Sequence, residues 1–184
     1  LSGGAGNDVF QFETAELLGT DIIDGGDGTN DNISVLDATN TTNVVDADFA
    51  NMTNVESLTL VAGSAHTVVL GASSLASGVA TITATGAGNN SITVGAGHAG
   101  NLSVTSGSGD DTITLSAYPA GNTITIAGGG GADGYVLGAG TENITGGGAV
   151  DTLTVGSATF LASTDVANGA GGTDIVNFTA ASTV

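Results

Sequence analysis

The chain has no lysine, arginine, cysteine or tryptophan, and a single proline, in 184 residues. Each absence removes a class of chemistry. Without a cationic side chain nothing can neutralise phosphates, so DNA, RNA and anionic membranes are poor partners. Without cysteine there is no disulfide, no thiolate nucleophile and no cysteine-bound zinc. That suits an extracellular protein stabilised by some other device. No apolar run reaches the roughly 18 residues of a transmembrane span. Aromatics are limited to two Tyr and five Phe, too few to hold a sugar. No Gly-x-Ser-x-Gly elbow is present. No His-Glu-x-x-His pair occurs, and no lysine follows the glycine turns as in a phosphate loop. The expectation is a non-enzyme, with no catalytic residue and no organic cofactor. His66 and His98, far apart in sequence, are expected at the surface.

What is present is acid, glycine and short apolar alternation. Asp and Glu number 18, for a formal net charge of −18, and there are 32 glycines. Like charges confined in a compact fold call for counter-ions, and divalent cations are the natural ones. The glycines cluster in turns, where a missing Cβ permits positive φ and close stacking. The chain begins at Leu1 without a recognisable export signal, as expected of a piece of something longer.

The stretch 79–156 organises the rest. Its apolar anchors are Ile82, Ile92, Leu102, Ile113, Ile124, Tyr135, Ile144 and Leu153, spaced 9 to 11 residues apart. That step is too short for a helical repeat and fits one strand plus one turn, stacked on similar units. Segments such as Thr112-Ile113-Thr114-Leu115 alternate with period two, placing Ile and Leu on one face and Thr on the other. The expected fold is all-β: a parallel β-solenoid (β-roll or β-helix) with two short strands and glycine-rich turns per coil, roughly 18–22 residues per coil. No single coil buries enough apolar surface alone, whereas stacked coils share one narrow core.

Three segments are expected: 1–54 with glycine turns and an irregular stretch, 55–156 as the solenoid, and 157–184 as a short helix over Ser157–Val166 with a terminal turn and strand. This last segment would cap a strand edge otherwise open to aggregation. Other short helical excursions are expected within 11–20 (or a loop), around Asp46–Met52 (one helical turn or an irregular excursion), and at Ser73–Ala76.

The turns carry the pattern Gly-Gly-x-Gly-x-Asp-x-apolar-x. Gly3–Phe10 and Gly128–Tyr135 fit it. Ser106–Ile113 lacks the first glycine, and Gly25–Ile33 has one extra residue before Asp31. Thr85–Ile92 has Asn90 for Asp, and Gly138–Glu142 has Glu. Gly146–Leu153 and Gly169–Val176 each lack a glycine. The pattern resembles the calcium-binding repeats of the RTX family of secreted bacterial proteins. With the Ala/Thr/Gly/Asn-rich composition and the phrase Phe49–Leu60, the chain also resembles bacterial surface-layer (S-layer) and large adhesin proteins. The resemblance implies calcium-dependent folding, type I secretion, and a secreted, extracellular, cell-surface location. It implies as partners calcium and copies of the chain or neighbouring domains of the same protein.

Calcium takes six to eight oxygens at about 2.3–2.6 Å. A tight glycine turn points carbonyls inward, an aspartate adds a carboxylate, and two turns one coil apart can sandwich an ion. Asp133 and Asp151, 18 residues apart, form the leading candidate pair, with Gly128, Gly130, Gly146 and Gly148 in their turns. Asn90 and Asp111 are 21 apart and form a second, carboxamide–carboxylate pair. Asp8, Asp31 and Asp174 complete the candidate metal ligands. For each, a solvent-facing Asx turn is the alternative. The function expected is an extracellular structural module that self-assembles through a calcium-stabilised solenoid. The alternatives are a calcium-rigidified adhesin segment or an ice-binding solenoid, the latter motivated by outward pairs such as Thr112 and Thr114. Threonine is also simply a good polar strand former.

Overall fold

The computed structural model describes residues 1–13, 16–36, 42–61 and 65–179, and within them the chain is a parallel β-solenoid. Its strands are β1 (Ser2–Ala5), β2 (Val9–Phe12), β3 (Ile23–Asp27), β4 (Asn32–Val35), β5 (Thr42–Val44), β6 (Met52–Thr53), β7 (Ser57–Leu60), β8 (His66–Leu70) and β9 (Thr81–Ala84). They continue as β10 (Ser91–Val94), β11 (Leu102–Thr105), β12 (Thr112–Thr114), β13 (Thr123–Gly129), β14 (Gly134–Val136), β15 (Thr141–Gly147), β16 (Thr152–Val155), β17 (Val166–Ala170) and β18 (Ile175–Phe178). One sheet of eight strands runs β2-β4-β7-β9-β11-β13-β15-β17, and a facing sheet of seven runs β5-β8-β10-β12-β14-β16-β18. A third sheet, β1-β3-β6, lies beside the first coils.

Coil length varies with the turns. Tyr135 pairs with Leu153, an 18-residue coil, and Ile113 with Tyr135, a coil of 22. Ile33 pairs with Leu58, a coil of 25, longer than the expected range. Because the side-chain period is two, register places whole columns inside. The eight-stranded sheet contributes Ile33, Leu58, Ile82, Val104, Ile126 and Ile144 in one column. The other sheet contributes Val44, Val68, Ile92, Ile113, Tyr135 and Leu153. All of these are buried. A fully buried Ile or Leu contributes about 1.5–3 kcal/mol, so the stack is held by many small, nearly equal increments.

The excursions are short. The helix expected near Ser73 is α1 (Ala72–Ser77), and the turn expected near Asp46 is a 3-10 helix over Asp46–Phe49. The helix expected over Ser157–Val166 is only one 3-10 turn, Ala158–Phe160, and Val166 already starts β17. The register of Asn143 with Val166 gives the physical reason: sheet pairing claims the segment. Within 11–20, Gln11 and Phe12 end β2, while Thr14 and Ala15 lie outside the described residues, as do 180–184 at the end of the last expected segment.

Candidate metal centre

At the start of the strands of each facing sheet, one residue per coil forms a column along an edge of the solenoid, and the buried acids lie in these two columns. Ahead of the eight-stranded sheet the column reads Asp8, Asp31, Glu56, Ala80, Leu102, Ile124, Glu142, Asp165. Ahead of the seven-stranded sheet it reads Asn90, Asp111, Asp133, Asp151, Asp174, continuing from His66 at the start of β8. The candidate ligands therefore separate into two groups on opposite edges: Asp8 and Asp31 near the start, and Asn90 to Asp174 along the second half.

Within each group the rungs are linked by one repeated hydrogen bond. The Asp8 N–H donates to Asp31 Oδ1 at 2.7 Å, and the Asp31 N–H to Glu56 Oε2 at 2.8 Å. On the other edge the N–H groups of Asn90, Asp111, Asp133 and Asp151 donate to Oδ1 of Asp111, Asp133, Asp151 and Asp174 at 2.7, 2.8, 2.8 and 3.0 Å. Each carboxylate thus spends one oxygen on the coil before it. The second oxygen is left over: Oδ2 of Asp8, Asp31, Asp111 and Asp151 is buried without a hydrogen-bond partner. Asp133 Oδ2 accepts only the Tyr135 hydroxyl, at 3.2 Å.

The glycines explain how these oxygens are accommodated. A Cβ at Gly128 would meet Asp133 Oδ2, the Tyr135 hydroxyl and the Gly146 carbonyl. One at Gly146 would meet Asp151 Oδ2 and the Gly169 carbonyl. On the first edge, Gly3 faces Asp8 Oδ2 and the Gly25 carbonyl, and Gly25 faces Asp31 Oδ2 and the Asn54 carbonyl. In each case a carboxylate oxygen of one turn and a carbonyl of the next coil converge where the side chain is missing. Gly130 sits one position outward, its N–H bonded to the Gly107 carbonyl at 3.0 Å, and a Cβ at Gly148 would touch nothing. Asp174 lies in the exposed last coil.

Burial makes the unneutralised ladder costly. It pushes the Asp133 carboxyl up to about 6, with the charges of Asp111 and Asp151 adding to the effect. Asp111 is also raised, chiefly by burial. At Asn90 the same position is satisfied differently. The Asn90 Oδ1 accepts the His66 N–H at 3.1 Å. Its Nδ2 donates to the Gly88 carbonyl at 3.0 Å, the Ser106 carbonyl at 2.7 Å and Asp111 Oδ1 at 2.9 Å. Three oxygens from two coils thus face one amide NH2 group and share its two hydrogens. The pair Asn90–Asp111 is in contact, with the amide nitrogen facing the carboxylate.

The histidines are not at the surface as expected. His66 and His98 are both buried. His66 enters the second edge column beside Asn90, and the turn holding His98 packs on α1, where Nδ1 lies 3.2 Å from the Ser74 hydroxyl. Burial lowers the His98 pKa. Sequence reasoning also missed Asp46, whose carboxylate accepts the N–H groups of Gly71, Ser73 and Ser74 and fixes the start of α1. Its partners lie 25 to 28 residues away, beyond any local capping signal.

Among the described residues, no three His, Asp or Glu side chains gather into one cluster. A cation here would be held by one or two carboxylates and by backbone carbonyls. Comparison with protein-family models, curated proteins and solved structures finds no match. The molecule is a rigid, structural β-solenoid module.

Proposed function

We propose that the chain is a calcium-stabilised structural solenoid of the RTX type, serving in an extracellular, surface-layer-like assembly. The observation that carries this reading is the contrast between Asn90 and the aspartates beyond it. An amide nitrogen gathers three oxygens at Asn90, while the Oδ2 atoms of Asp111 and Asp151 have no donor. The chain has no lysine or arginine to supply one. A cation would satisfy such oxygens in their charged form, and an all-oxygen set built from carboxylates and carbonyls suits calcium rather than a softer metal.

On the second edge, Asp111, Asp133, Asp151 and Asp174 would hold ions with the Gly146 and Gly169 carbonyls. On the first, Asp8 and Asp31 would do so with those of Gly25 and Asn54. Water would complete each shell. A bound ion neutralises the ladder and binds only folded turns, so ion affinity becomes folding free energy. Calcium is abundant outside cells, so a fold that depends on it would suit a secreted protein. A rod with acidic edges can join copies through shared ions, and a heterologous contact repeated this way propagates into a sheet or filament.

Electron microscopy of the purified protein across a calcium titration tests the assembly. Ordered sheets or filaments that dissolve in chelator are expected. Monodisperse particles in excess calcium would remove the assembly reading, and binding to a host or neighbouring surface would then favour the adhesin alternative.

A further inference from the structure

The last coil, residues 161–178, pairs in register with the one before it but leaves the space between them underfilled. In the inward column, Ile126 and Ile144 are followed by Ala167. Cavities of about 80 Å3 and 30 Å3 lie between the two coils. Ala170 has φ +69° where its register partner Gly147 and, one coil further back, Gly129 are glycine. Every described side chain of β18 is exposed.

Glu142 lies at this joint. Register places it in the column of Ala80, Leu102 and Ile124, so a carboxyl occupies a position that the three coils directly before it fill with an apolar side chain. It is fully buried, and neither carboxyl oxygen has a hydrogen-bond partner. It borders the smaller cavity, whose other walls include Leu137, Leu153, Leu161 and Val166. Two titratable groups face it. Asp165, from the segment leading into β17, accepts the Glu142 N–H at 3.2 Å and the Ala162 N–H at 2.6 Å. Tyr118, from the turn between β12 and β13, donates its hydroxyl to the Gly100 carbonyl at 2.8 Å.

We propose that Glu142 is a proton-operated latch for the last coil. Protonated, it is a neutral side chain over which 161–178 can close. Ionised, it is an uncompensated charge against an apolar cavity with Asp165 beside it, and the coil lifts away to let water in. The latch is independent of any cation at the glycine turns, although it governs the coil that carries Asp174.

The electrostatics agree with the geometry. Burial, and then the charge of Asp165, push the Glu142 carboxyl from 4.5 to about 7; the Gly138 and Gly140 N–H groups oppose this without reaching hydrogen-bond geometry. The docked-state value lies above the undocked one. Docking is therefore fullest below 4.5, weakens as pH rises to about 7, and is constant above that. The opening equilibrium should rise on the order of a hundredfold between about pH 5 and about pH 8.

The test is amide hydrogen exchange of Val166–Ala170 and Ile175–Phe178 at these two pH values, corrected for intrinsic rates, with β9 and β10 as internal reference. It is run on the whole chain in chelator and again in excess calcium, for wild type, Glu142→Gln and Glu142→Leu. The expected result is a loss of protection in the wild-type last coil at the higher pH that exceeds the change in β9 and β10 by roughly a hundredfold, an excess that disappears in both variants. A flat wild type, or the same pH response in the variants, overturns the latch. Should Glu142→Gln leave the coil unprotected at both pH values, Glu142→Leu decides, because it restores the apolar residue found at Leu102. A wild-type response in that variant contradicts the proposal.

Discussion

The rungs at Asn90 and Asp133 occupy the same column of one edge, two coils apart, and meet the same demand in different ways. Asn90 brings its own donor and closes three hydrogen bonds across two coils. Asp133 brings only acceptors, and its carboxyl is pushed up to about 6 by burial. The coils around β9 to β11 thus carry an internally satisfied edge beside an apolar one, with Ala80 and Leu102 in the opposite column. The coils on either side concentrate buried carboxylates. The lesson is that one turn geometry serves with or without a cation, and a single atom, amide nitrogen or carboxylate oxygen, decides which.

The largest effect expected from this difference is on removal of calcium. Each occupied site should add about 2.7 kcal/mol when calcium exceeds its Kd a hundredfold. Chelation should therefore lower Tm strongly, with the loss concentrated outside β9–β11. Calorimetry in chelator and in calcium measures this, and an unchanged Tm would remove calcium from the account.

The next effect is a reversal of the pH dependence. In chelator the raised Asp133 pKa contributes stability that is full below 3.8 and is lost as pH rises to about 6. Discounted for the solvent that still screens the carboxyl, that one group accounts for a change on the order of 1–2 kcal/mol. In calcium the carboxylate must be ionised to bind, so stability should instead rise with pH over the same window. Melting curves under the two conditions should cross.

Exchanging the two rungs sharpens the comparison. Asp133→Asn should raise stability in chelator by about 1–3 kcal/mol, because it removes a buried charge and supplies a donor facing the Gly146 carbonyl. It should also delete one bound ion. Asn90→Asp should lower stability in chelator by a similar amount and be rescued by calcium. Urea titrations and calcium binding isotherms of both variants measure these changes. Equal losses in both variants, with no calcium rescue, would show that the rungs are not equivalent.

Smaller effects separate the glycines. Gly146→Ala places a methyl group against Asp151 Oδ2 and the Gly169 carbonyl, and should cost about 1–3 kcal/mol. Ala170→Gly should gain about 1–2 kcal/mol by relieving its positive φ. Gly148→Ala meets nothing and should gain less than about 1 kcal/mol.

The solenoid was legible because period-two alternation and the strand step survive in the sequence. Ile92, Ile113, Tyr135 and Leu153 do fall in one inward column. The eight-stranded sheet was less legible. Leu102 aligns with Ile124, while Ile82 aligns with Val104, since turn lengths shift which of two inward positions a given apolar residue takes. The pairing of Asp133 with Asp151 follows from their spacing. The division of the candidate ligands between two edges does not, because it depends on how many strands intervene. Glu142 read as a degenerate turn residue, yet the 18-residue coil pulls it into β15 and into the core. The histidines were misplaced because burial there comes from columns and from α1, neither of which is encoded near them.

The most direct measurement is residue-resolved amide exchange of the ladder N–H groups in chelator and in excess calcium. The N–H groups of Asp8, Asp111, Asp133 and Asp151 each donate to a carboxylate of the next coil. The account predicts that calcium raises their protection sharply, while that of His66, which donates to the Asn90 side chain, changes little. Uniform protection of all five in chelator, or an equal gain at His66 and Asp133, would contradict it.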